Sequence, residues 1–320
     1  MSHGGEGEGR GGHHLLFVFV DGVGLAPAGP HNPLGRVPMP RLHALLGGPL
    51  VRETLGQDGG VTLRAVDACL GVSGLPGSAT GQTALFTGVN AAAVVGEHVP
   101  DYPTSALRAL IAEHSVLKQA AAAEARVSLA NAYSERYWAL VREEPRRLSA
   151  STLTMMACGA PFRTLADLLA GQAVMWDLTN EVAVTHFHYE LPLVAPEEAG
   201  RRLARLAAGH DLLLFETFLT DLAGHKRIEP EWVLARLDAF LGGILDGCSG
   251  DTTLVVCSDH GNLEDDTTRI HTTNPVPLLA AGPAAGYFCR AEAITDVAPA
   301  ILSVLRAAGP GDRNGRGPAA

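Results

Sequence analysis

Apolar residues along this chain fall into two patterns. Six short runs are almost uninterrupted: LLFVFV (15–20), VTLRAVDACL (61–70), VSLANAY (127–133), DLLLFET (211–217), TTLVVCS (252–258) and VPLLAAG (276–282). Runs that do not alternate with polar residues suit strands buried on both faces. Between them, the segments 39–48, 103–114, 196–210, 230–245 and 294–305 carry apolar residues at three- and four-residue spacing, the mark of helices with one buried face. The alternation predicts an α/β fold: a mainly parallel central sheet with helices on both faces.

The rhythm breaks between 134 and 190, where Arg136, Arg142, Arg146, Arg147 and Arg163 accompany Trp138 and Trp176 among weak strand signals. This segment reads as an inserted cap on a core made of 14–133 and 191–307. The Gly-rich polar ends, 1–13 and 308–320, lack apolar residues to bury and read as disordered tails.

Composition narrows the class. The chain has 320 residues, 47% hydrophobic and 18% charged, which excludes a collagenous or wholly disordered protein. A net charge of −10 leaves no global positive field for nucleic acid or anionic lipid. Five cysteines without CxxC spacing fit neither a disulfide framework nor a zinc knuckle, and point to a reducing cytoplasm. No signal peptide and no stretch of membrane-spanning length is present in the sequence.

Ligands of open parallel sheets bind beyond the carboxyl ends of the strands, so the residues that follow the apolar runs are candidates for chemistry. The first run ends in Asp21-Gly-Val-Gly, the fourth leads into Asp221-Leu-Ala-Gly-His225, and the fifth ends in Ser-Asp259-His260-Gly-Asn. His271 precedes the sixth run. Any one of these acids could be a turn or helix cap. Together, three aspartates and three histidines are a set of oxygen and nitrogen donors sufficient for two divalent ions. The stretch GLPGSATGQTALFTG (74–88) adds a Gly-rich turn running into a helix-compatible segment. Its Ser78 is either an N-cap or a hydroxyl poised at a positive helix end beside metal ions, where it could attack phosphorus. Thr80 lies in the same turn.

These motifs, VDGVG, the serine turn, DLAGH, SDHGN and HTTNPVP, occur in the order found in the metalloenzyme branch of the alkaline phosphatase superfamily, which the chain resembles. That branch includes cofactor-independent phosphoglycerate mutase and phosphopentomutase. The resemblance implies that Asp21, Asp259 and His260 hold one metal and Asp221, His225 and His271 the other. It also implies Mn²⁺ or Zn²⁺ as cofactors and Ser78 as the nucleophile, favoured over Thr80 by its ten-residue offset to Gly88. The substrate expected is a small phosphorylated metabolite, with Asn90, Arg136 and Arg163 as substrate-binding candidates.

Sulfatase chemistry is disfavoured, because the Pro and Arg it requires two and four positions after the modified residue are Thr80 and Gln82 here. Strict phosphoglycerate mutases carry an inserted domain about twice as large as the space between Gly88 and Asp211 allows. The expected activity is therefore a phosphomonoesterase working through a phosphoserine, with a phosphomutase as the alternative. A non-catalytic metal-binding relative would lack a ligand or the nucleophile, and all seven positions hold competent residues.

Overall fold

Strand β1 (His14–Val20) shows why its run is continuously apolar. Leu15, Phe17 and Phe19 enter the core on one face of the sheet, and Leu16, Val18 and Val20 enter a second core on the other. The computed structural model describes residues 13–308, so the expected tails, 1–13 and 308–320, lie outside the described residues apart from His13 and Ala308.

The other strands are β2 (Gly56–Asp58), β3 (Val61–Val66), β4 (Val127–Leu129), β5 (Ala132–Tyr133), β6 (Arg163–Thr164), β7 (Leu212–Thr217), β8 (Thr252–Cys257) and β9 (Val276–Ala281). The helices before residue 130 are α1 (Pro33–Arg36), α2 (Pro40–Leu46), α3 (Ser78–Thr87), α4 (Ala91–Val95), α5 (Ser105–His114) and α6 (Val116–Ala122). Those in the middle are α7 (Glu135–Glu143), α8 (Ala150–Cys158), α9 (Leu165–Leu169) and α10 (Glu181–Thr185). The last four are α11 (Pro196–Ala207), α12 (Leu219–Gly224), α13 (Pro230–Gly247) and α14 (Val297–Ala308).

The main sheet has seven strands in the order β2-β3-β9-β8-β1-β7-β4. Strands β8, β1, β7 and β4 run parallel, with Leu15 opposite both Leu212 and Thr253. Helices α3, α5, α6 and α14 contribute to the core on one face, and α2, α11 and α13 to the core on the other. This is the expected α/β layering, with a mostly parallel sheet.

Two details depart from a simple βαβ alternation. Strand β9 runs antiparallel to β8, pairing Cys257 with Leu278 and Leu254 with Ala281. The connection 258–275 contains no helix, and without a crossover the chain turns back beside the strand it has just left. The run 127–133 also splits. After β4 it leaves the main sheet, and β5 pairs with β6 in a separate two-stranded sheet. Asn131 marks the departure, its side-chain amide making hydrogen bonds of 2.9 and 3.0 Å with the backbone of Glu216.

Within 134–190, Ser134 caps α7 through Tyr137 N–H, at 3.1 Å. Helix α8 lies against α5 and α6 and puts Ala150 and Met155 into the core. The five cysteines form no disulfide, and no helix among the described residues is long and apolar enough to cross a membrane.

Candidate metal centre

The antiparallel course of β9 decides where the chemistry gathers. The ends of β1, β7 and β8 and the beginning of β9 lie at one edge of the sheet, so Asp21, Asp221, Asp259 and His260 meet His271 there. Gly22, at φ +71°, lets the chain turn directly after Asp21, and a Cβ at that position would lie 2.8 Å from Asp221 Oδ1. Only glycine fits this approach without strain.

Asp221, His225 and His271 form one cluster. Asp221 Oδ1 is 3.3 Å from His225 Nε2 and 3.9 Å from His271 Nε2. The four-residue spacing across the end of α12 puts Asp221 and His225 on one face. Nδ1 of His225 lies 2.7 Å from the Arg269 carbonyl, and Nδ1 of His271 lies 2.7 Å from the Pro76 carbonyl. Each Nδ1–H therefore donates to backbone, which leaves both Nε2 lone pairs facing the Asp221 carboxylate, the arrangement metal-binding imidazoles use.

The second cluster joins Asp21, His260 and again Asp221, whose ligand atoms all lie within 4.8 Å of one another. His260 Nε2 is 3.3 Å from Asp21 Oδ1 and 3.5 Å from Asp259 Oδ2. Asp259 sits beside this cluster, its Oδ2 accepting from Gln82 Nε2 at 3.1 Å. Asp21 Oδ1 is buried and receives no hydrogen bond. A buried carboxylate oxygen without a donor, facing an imidazole nitrogen and further carboxylates, fits a divalent cation.

Electrostatics agree. Burial and the neighbouring Asp259 and Asp221 push Asp21 well above the usual carboxylate range. Asp259 is pushed up to about 7 by burial and Asp221. Burial and the neighbouring His271 bring His260 down to about 3, which keeps it the neutral imidazole a metal requires. Its ring stacks on His271 with centroids 3.6 Å apart.

Ser78 opens α3, and its Oγ lies 2.9 Å from His260 Nε2. Thr80 is turned elsewhere: its hydroxyl donates to the Gly77 carbonyl at 3.1 Å and accepts from Val99 N–H at 3.2 Å, and it is fully buried. The N–H groups of Ala79 and Thr80 are taken by the Val99 carbonyl at 3.1 and 3.3 Å, so they hold the turn rather than point at a ligand.

Of the three substrate-binding candidates, the structure brings only Arg136 to the site, on the wall of the cavity. Asn90 caps α4 through Ala93 N–H and donates to the Leu70 carbonyl, each at 2.9 Å. It sits beyond the far end of α3, roughly 15 Å from Ser78 at the helical rise per residue. Arg163 donates to the Gln172 carbonyl and lies 3.3 Å from His210 Nε2, at the start of β7 and so at the opposite end of that strand from the cluster. His186 and His188, in THFHY, are exposed and outside both clusters.

Three polar side chains not singled out from the sequence complete the centre. Gln82, one turn after Ser78, bridges Asp21 at 3.2 Å and Asp259 at 3.1 Å. Asn262 donates to Asp221 Oδ1 at 3.0 Å. Buried Glu264 accepts from Gly24 N–H at 2.9 Å, Asn262 N–H at 2.8 Å and Asn274 Nδ2 at 3.1 Å, and also from the Thr272 hydroxyl, tying three loops together. The i,i+4 spacing of Ser78 and Gln82 and the polar run SDHGNLED were the available signals.

The cluster opens into a cavity of about 590 Å³. Asp21, Ser78 and Asp221 line its floor, and Tyr133, Tyr137, Trp176, Tyr189 and Phe218 line its walls.

The fold is α/β, and the two clusters at its strand ends are groups that could hold divalent metal. Residues 184–308 match the model of the Metalloenzyme superfamily, a segment that includes Asp221, His225, Asp259, His260 and His271, and the resemblance expected from the motifs is borne out. The chain is 32% identical over 123 residues to a 2,3-bisphosphoglycerate-independent phosphoglycerate mutase of Paracoccus denitrificans, across 35% of this chain and 24% of that protein. It is 34% identical over 126 residues to the enzyme of that name from Trichormus variabilis, across 33% of this chain and 24% of the relative. The chain thus spans about a quarter of the length of these curated relatives. Among solved structures, the PH0037 protein from Pyrococcus horikoshii superposes with a TM-score of 0.54 at 15% identity, covering 92% of this chain and 97% of that one, a likeness of fold.

Proposed function

We propose that this protein is a two-metal-dependent phosphoryl-transfer enzyme, a phosphomonoesterase acting on a small phosphorylated metabolite through a phosphoserine on Ser78. The observation that carries this reading is the 2.9 Å contact between Ser78 Oγ and His260 Nε2. The same nitrogen reaches Asp21 and Asp259, so the residues that would hold a cation are those that surround the serine. Asp21, His260 and Asp259 would hold one ion and Asp221, His225 and His271 the other, with Asp221 near both. This all-oxygen and nitrogen donor set suits Mn²⁺ or Zn²⁺. Bound ions supply neutralisation of the charge carried by the serine oxygen and the transferring phosphate.

The chain's own residues do the rest. Ser78 Oγ bonds to phosphorus as the bond from phosphorus to the ester oxygen breaks, and the proton lost by the serine is regained through solvent by the departing alcohol. The phosphate stays on Ser78 until water removes it and restores the hydroxyl. Gln82 keeps the Asp21 and Asp259 carboxylates in place. The aromatic walls shield the reacting groups from bulk water.

The names of the relatives favour a second reading, in which the phosphate passes to a hydroxyl of the retained alcohol and a phosphomutase results. Protein loaded with Mn²⁺ or Zn²⁺ is expected to release phosphate from phenyl phosphate, and Ser78→Ala to reduce turnover on the order of 10³-fold or more while keeping its metal. Full activity in that variant overturns the nucleophile. Following phosphorus by NMR separates the reactions: free phosphate marks hydrolysis, and a positional isomer marks transfer.

A further inference from the structure

The cavity above Ser78 holds one buried carboxyl that the proposed chemistry does not use. Glu216, the penultimate residue of the buried strand β7, is 4% exposed and lines the cavity with its Oε2 unpartnered. Burial pushes it up to about 7, opposed by the nearby Ser151 hydroxyl. A buried carboxyl without a full set of partners destabilises the fold. It lines the same cavity as Ser78 and the aromatic rings.

The charges around the cavity narrow that ligand. The lining acids are Asp21, Asp101, Asp221 and Glu216, and the lining Lys or Arg side chains among the described residues are Arg136 and Arg147. Arg147 is ion-paired, and Arg136 is held by a backbone carbonyl and a ring. Arg136 donates to the Phe187 carbonyl at 3.0 Å and stands 5.9 Å from the centroid of that ring, and Arg147 pairs with Glu144 at 2.8 Å. Beyond the phosphate, a second acidic group placed at Glu216 would face that buried carboxyl, on which no arginine acts. A flat uncharged ring would instead lie against Tyr137, Trp176, Tyr189 and Phe218, burying apolar surface and stacking.

We infer that this cavity is the substrate subsite for phosphate esters whose alcohol is a planar, uncharged ring bearing an O–H or N–H group, and that Glu216 is the specificity-determining residue that receives that hydrogen bond. The inference rests on the phosphoryl-transfer reading, deepens it to a substrate class, and disfavours phosphoglycerate.

Binding and turnover are tested separately. Metal-loaded protein is titrated with 3- and 4-hydroxybenzylphosphonate, their methoxy counterparts and phosphonoacetate, none of which can be hydrolysed, and binding is read by calorimetry and tryptophan fluorescence. At least one hydroxybenzylphosphonate binds about tenfold or more tightly than both its methoxy counterpart and phosphonoacetate. Equal or tighter binding of phosphonoacetate overturns the substrate class, even if phenyl phosphate is hydrolysed. If the preference for the hydroxylated ring holds and no ester is turned over, the activity fails while the subsite stands. Glu216→Met collapses the hydroxy-to-methoxy preference toward unity without lowering thermal stability, because it replaces an unpartnered buried carboxyl by an apolar chain. A preference that survives in this variant removes Glu216 from the role. The wild-type comparison decides the substrate class without any variant.

Discussion

Asp221 concentrates the logic of the site in one side chain. Its Oδ1 faces His225 and His271, accepts from Asn262, and joins the cluster of Asp21 and His260. Asp221→Asn is therefore expected to lower metal content at both clusters, and His225→Ala mainly at one, as metal analysis of dialysed protein would show. Equal losses in the two variants would contradict a shared Asp221. Glu216 makes the residue-scale pH prediction. Its value of about 7 lies above the ordinary 4.5, so its protonated form favours the folded state and that stability is lost as pH rises through 7. Relative to Glu216→Gln, metal-free wild type should lose roughly 3 kcal/mol between about pH 5 and about pH 8, measured by urea unfolding. A constant difference between the two proteins would show that Glu216 does not change protonation in that range. The six ligand candidates were legible because each stands at the end of an apolar run or in a short His/Asp motif. Gln82 and Glu264 were not, since a glutamine in a helix and a glutamate in a loop look like any solvated residue until their partners arrive from distant segments.

Among the elements, α3 and β9 do most to assemble the centre. Helix α3 approaches the Asp259 loop so closely that a Cβ on Gly81 would lie 2.6 Å from the Asp259 carbonyl oxygen. Gly81→Ala is expected to destabilise the protein by about 1–3 kcal/mol and to reduce metal content, because the displaced backbone carries Asp259 and His260. A calorimetric scan with metal analysis checks both, and unchanged metal content would mean that the loop yields without moving its side chains. Strand β9 was legible as a strand from its apolar run, but its direction was not. Apolar periodicity is the same for either polarity, and only the helix-free connection 258–275 turns the chain back and delivers His271 to the edge where β1, β7 and β8 end.

At the scale of the molecule, the centre joins residues from 21 to 271, so cations held there link distant parts of the fold. Chelation is expected to lower the melting temperature by roughly 5–10 °C, taking ions near 100 times their dissociation constant. Restoring Mn²⁺ or Zn²⁺ should reverse the shift, and a melting curve insensitive to chelator would exclude a folded-state metal. The sequence alone determined the α/β layering and which acids and histidines gather, because buried runs and strand-end motifs are local patterns set by the need to bury apolar surface. The tertiary structure alone decided that Asp221 serves both clusters, that Thr80 is spent on holding a turn, and that Asn90 and Arg163 lie away from the centre. It alone also placed Glu216 within an aromatic cavity. Those outcomes depend on distances between segments far apart in the chain, which no single stretch of residues encodes.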